Sequence, residues 1–103
     1  MVQLKYDYLL PIGSVVKVKG VERKLMIYGI LQRSLEAPDK IFDYVGAPYP
    51  EGFQDVRLNI VFNHTEVEEI LCRGYEDGER KAFLYLIEAS MWKREQDKKS
   101  GKE

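Results

Sequence analysis

Residues 15–32 read "VVKVKGVERKLMIYGILQ", and the way this stretch alternates decides the fold. Val16 and Val18 alternate with Lys17 and Lys19, the period of two that marks a strand with one buried and one wet face. Residues 20–23 leave room only for a tight connection, so the β-rich run "KLMIYGILQ" pairs back on the first strand as an antiparallel hairpin. Gly29, inside that second run, signals a bulge or a close backbone approach. Upstream, "YDYLLPIGS" is a short lead-in punctuated by Pro11 and Gly13.

Working outward, "RSLEAPDK" (33–40) is polar and carries Pro38, which predicts a loop before a third strand, "IFDYVGA" (41–47). A fourth strand is expected in "VRLNIVFNH" (56–64), with Val56, Leu58, Ile60 and Phe62 on one side. In "NHTEVEEILCRGY" the pair Thr65 and Glu68 has capping-box spacing, so a helical turn at 65–68 and then a fifth strand are expected. From Asp77 the period changes. Phe83, Leu86, Ile87, Ser90 and Met91 recur at helical spacing, with acidic residues at the start and Lys93 and Arg94 near the end, as the helix dipole prefers. The expected fold class is therefore α+β: a bent antiparallel sheet or small barrel of about five strands with one C-terminal helix packed across it. A single domain over 1–95 and a disordered polar tail over 96–103 complete the expectation.

Sixteen Lys and Arg against seventeen Asp and Glu give a net charge of −1, so no overall field draws the chain to nucleic acid or to an anionic membrane. Cys72 is the one cysteine, which excludes an internal disulfide, and the burial tendency of the residue places it in the core. The start "MVQLKYDYLLPIG" lacks a signal-peptide pattern and no apolar run reaches membrane length, so a cytoplasmic location is expected.

Candidates for chemistry are few. His64 and Cys72 are too few for a zinc site and are read as a loop residue and a core residue. Glu66, Glu68, Glu69, Glu76, Asp77 and Glu79 are read as solvated and helix-start charge rather than as an acid–base pair. Lys17, Lys19, Arg23 and Lys24, with Tyr28, form the one basic patch, which an RNA-binding barrel would use, although the neutral total charge disfavours nucleic acid. No phosphate loop, nucleophile elbow or metalloprotease helix is present, and neither an enzymatic activity nor a cofactor or metal is expected.

"YVGAPYPEGF" (44–53) stands out because two prolines, two glycines and three aromatics share ten residues with one charge. Pro48 and Pro50 stiffen the turn, and Gly46 and Gly52 tolerate positive φ. Tyr44, Pro48, Tyr49, Pro50 and Phe53 are the expected partner-binding residues, since a stiff loop loses little entropy on binding. A rigid turn with Tyr49 folded onto the sheet rim is the competing structural reading.

The blocks "LLPIGSVVKVKG", "KLMIYGILQ", "DYVGAPYPEG" and "FNHTEVEEILCRGYEDGERKAF" resemble, in order and spacing, a small domain-of-unknown-function family of Gram-positive bacteria associated with type VII secretion loci. EsaE-like accessory proteins belong to this or a neighbouring group. The resemblance covers residues 9 to about 90 and brings no catalytic residues. Many members have cysteine at the position of Ala47, so no thiol role carries over. It implies a cytoplasmic accessory protein or chaperone that binds another protein, a secreted toxin or a secretion component. An immunity-type inhibitor using the acidic segment 66–79 and a small RNA-binding barrel are the alternatives.

Overall fold

The computed structural model describes residues 5–99, with side-chain burial described as far as Met91. These residues fall into two compact units, residues 9–75 and a second unit that joins residues 5–8 with the chain from Glu76 onward.

The first unit is an open five-stranded antiparallel sheet in the order β4-β3-β2-β1-β5. Strand β1 is Val15–Val18, β2 Leu25–Ser34, β3 Ala37–Pro48, β4 Ile60–Phe62 and β5 Val67–Cys72. With the C-terminal helix α1, Gly78–Lys99, the chain is α+β. The hairpin read from residues 15–32 is present: Val15 lies opposite Met26 and Val16 opposite Leu25. Val16 and Val18 are buried while Lys17 and Lys19 are exposed. Gly29 follows a register shift at Tyr28, and a Cβ built there would meet Val45 Cγ1 at 2.8 Å, so both readings of that glycine hold.

Leu9, Leu10, Val16, Leu25, Ile27, Tyr44 and Phe62 make the centre of the core, all within 1 % of full burial. Each such side chain contributes roughly 1.5–3 kcal/mol by leaving water. Tyr44 and Phe62 pack with ring centroids 5.3 Å apart, and Gly46 between their rows leaves no room for a larger residue, since a Cβ would sit 3.1 Å from Leu25 and 3.2 Å from Phe62.

Four details differ from the expectation. Residues 33–40 are not a loop: β2 and β3 run on to a two-residue turn at Leu35 and Glu36, with Pro38 on the β3 edge that β4 does not cover. The strand expected from Val56 is broken, because the Asp55 carboxylate accepts the Arg57 N–H and caps a 3₁₀ turn over Val56–Leu58, leaving only Ile60–Phe62 as strand. The helical turn lies at His64–Glu66, where Asn63 N–H donates to Glu66 Oε1 at 2.8 Å, rather than at 65–68. In α1 the buried residue is Leu84, with Arg80, Ile87, Glu88 and Met91 half-buried on the same face, whereas Phe83 and Leu86 are exposed. An apolar period fixes a helix without fixing which of two adjacent stripes turns inward. Lys5 N–H donates to Glu88 Oε1 within that second unit. The segment 96–103 lies in the last turn of α1 as far as Lys99 and otherwise outside the described residues.

Candidate functional site

The connection from β3 to β4 is held at several points. Pro48 is buried, and past it Tyr49 N–H donates to Lys24 O at 2.9 Å while Gly52 N–H closes back on Pro48 O at 2.7 Å. Gly52 has φ +81°, which a side chain would strain. The Tyr49–Pro50 peptide is cis. From the β1–β2 connection, Arg23 donates to Tyr49 O at 3.1 Å and pairs with the Glu51 carboxylate. Farther along, Asp55 takes Arg57 in a two-pronged pair, Nε to Oδ1 at 3.0 Å and the terminal nitrogen to Oδ2 at 2.6 Å. The hydrogen bond from Arg23 lowers the pKa of Glu51, that from Arg57 lowers the pKa of Asp55, and Arg57 is raised in return. These groups face solvent, so the pairs orient the chain more than they stabilise the fold.

On this fixed backbone the apolar side chains stay in water. Tyr49 is 42 % exposed, Phe53 62 % and Val56 70 %. Phe53 meets Tyr28 of β2 edge to face at 6.0 Å, the geometry that ring quadrupoles favour. Asn59 Nδ2 donates to the Tyr28 hydroxyl at 2.7 Å and holds that ring upright. Lys24 Nζ stands 5.9 Å from the centre of the Tyr49 ring. Beside this cluster a groove of about 560 Å³ runs over Val45 and Val61, between Tyr28, Arg33, Leu35 and Val56. Its size falls in the range of natural binding clefts.

The five expected contact residues therefore divide. Tyr49, Pro50 and Phe53 are on the surface, and Pro48 is buried as the foot of the loop. Tyr44 is a correction: it is fully buried and offers nothing to a partner. Its hydroxyl oxygen accepts Leu10 N–H at 2.9 Å, so its proton goes to His64 Nδ1 at 2.6 Å. His64 N–H in turn donates to Asp43 Oδ2 at 2.8 Å. A tyrosine deep in a core needs such partners, and an apolar reading of "YVGAPYPEGF" gave no hint of them.

Cys72 is also a correction, since it is exposed on β5, the outermost strand, rather than in the core. Strand β5 separates it from the His64 turn by roughly 16 Å of extended chain, too far for a nucleophile–base pair. Among the described residues no group of three or more His, Cys, Asp or Glu could hold a metal ion. No helix among them is long and apolar enough to cross a membrane. The contributions of Tyr28, Val56 and the Asp55–Arg57 pair were not read from sequence; the spacing Asp55-x-Arg57 ahead of an apolar residue is the signal that could have revealed the capped turn.

None of the curated proteins and none of the solved structures matches this chain. A match does exist at the level of families, over residues 9–83, and it begins at the residue where the sheet unit begins. With most of its length matched, the chain belongs to the family called Domain of unknown function DUF4176.

Proposed function

We propose that this protein is a non-enzymatic protein-interaction module that takes its partner on the loop 49–58 and the adjoining groove. The observation that carries the reading is the exposure of Tyr49, Phe53 and Val56 on a backbone tied down at Tyr49, Glu51 and Asp55. Aromatic side chains dominate binding energy at interfaces, and a loop already ordered does not lose that energy to its own immobilisation.

The sheet edges favour this side-chain mode over strand addition. Strand β5 is irregular at two points against β1 and carries Glu68 and Glu69, and the open part of β3 carries Pro38, Asp39 and Lys40. Bulges, charges and proline are the devices that keep an edge from pairing. The RNA reading loses ground: Lys17 lies opposite Glu69 and Arg23 is engaged by Glu51, so the basic patch is interleaved with carboxylates. The finer proposal, a cytoplasmic accessory protein or chaperone for a type VII secretion substrate or toxin, is supported by the sequence resemblance, with an immunity role as the second reading.

The test is affinity capture from the host lysate with the wild-type chain and with Tyr49→Ala/Phe53→Ala in parallel, read by mass spectrometry. A protein retained by the wild type and lost by the folded double variant supports the proposal. An RNA-dependent set, or one indifferent to the two substitutions, overturns it.

A further inference from the structure

Helix α1 carries a second apolar surface, unconnected with the loop. Phe83 is 51 % exposed and Leu86 67 %, and Glu79, Ala82, Ala89 and Ser90 are exposed as well. At 100° per residue these positions form one stripe, on the side away from buried Leu84. We infer that this stripe docks against the same stripe of a second copy of the chain, as an antiparallel helix pair centred on Leu86.

Three features select that occupant. A two-fold axis through Leu86 sets position i opposite position 172 − i, so Phe83 meets Ala89, Ala82 meets Ser90, and Leu86 meets Leu86 of the other copy. The largest side chain thus lies over one of the smallest, which is what close helix packing requires. The same register sets Glu79, in the first turn of α1, opposite Lys93. The sequence around the helix is polarised, with Glu76, Asp77 and Glu79 at its start and Lys93, Arg94, Lys98 and Lys99 towards its end. Antiparallel pairing matches these charges and the helix dipoles, whereas parallel pairing opposes both.

One helix face is smaller than a standard interface, so the dimer is weak, with a dissociation constant on the order of 10–100 μM. Sedimentation equilibrium of the full chain from about 10 μM to 1 mM spans that range. Leu86→Lys should weaken dimerisation at least about 30-fold while leaving the circular dichroism of the monomer unchanged, because the residue is exposed. Glu79→Lys and Lys93→Glu should each weaken it several-fold, and the double exchange should restore it to within about threefold of wild type. A chain that remains monomeric at 1 mM, a dimer indifferent to Leu86→Lys, or a double exchange without rescue would each overturn the inference.

Discussion

Replacing Tyr44 by Phe tests the core that supports the loop. The substitution keeps the ring that packs on Phe62 and removes one oxygen. That oxygen accepts the N–H of Leu10, a residue 1 % exposed, and gives its proton to His64 Nδ1. Without it the Leu10 amide is left in the core with no acceptor, and water cannot reach it. A buried polar group deprived of its partner costs about 1–3 kcal/mol, and little is recovered because the phenyl ring fills the same volume. For a domain of this size each kcal/mol lowers the melting temperature by about 4–8 °C. Urea unfolding of wild type and Tyr44→Phe should therefore show a lower midpoint at an unchanged slope. Hydrogen exchange should show the Leu10 amide losing protection more than its neighbours. A stability change under about 0.5 kcal/mol would be the size of an ordinary surface substitution and would refute the role given to this hydroxyl.

Other perturbations separate surface from core. Leu84→Ala should cost about 2–5 kcal/mol and Phe83→Ala under about 1 kcal/mol, so urea midpoints that reverse this order would turn the helix over. Gly74→Ala should be severely destabilising, because its Cβ would lie 2.1 Å from the Ile12 carbonyl oxygen and the backbone must move; an unchanged melting temperature contradicts that packing. The folded-state pKa of Glu51 is depressed, so the anchoring by Arg23 is fully present above the ordinary carboxylate range and is lost as pH falls through the depressed value. Amide shifts of residues 49–52 followed through an acid titration should report that release, and Arg23→Ala should abolish the transition.

How much was legible depended on whether neighbours or distant contacts set the outcome. Val16, Lys17, Val18 and Lys19 declare their strand because burial alternates with sequence, and Gly29 declares its bulge because a side chain does not fit there. The 3₁₀ turn at Val56–Leu58 was hidden by an alternation suited to a strand, since one local hydrogen bond from Asp55 redirected the chain. Pro38 signalled a loop, yet an edge position tolerates it. Of the site, "YVGAPYPEGF" marked the loop correctly. Its division into buried Tyr44 and Pro48 and exposed Tyr49 and Phe53 depends on partners far away in sequence, Leu10, Arg23 and Lys24. No reading of ten residues in isolation supplies those.

The measurement that bears most directly on the proposed function is made on one preparation of Tyr49→Ala/Phe53→Ala: its melting temperature, and its recovery of whatever protein the wild type captures from the host lysate. Tyr49 and Phe53 are 42 % and 62 % exposed, and the loop is tied by the backbone of residue 49 rather than by its ring. A melting temperature close to wild type together with loss of the captured protein is the predicted result. A lowered melting temperature with capture per folded molecule intact would make the loop part of the framework and contradict its assignment as the binding surface.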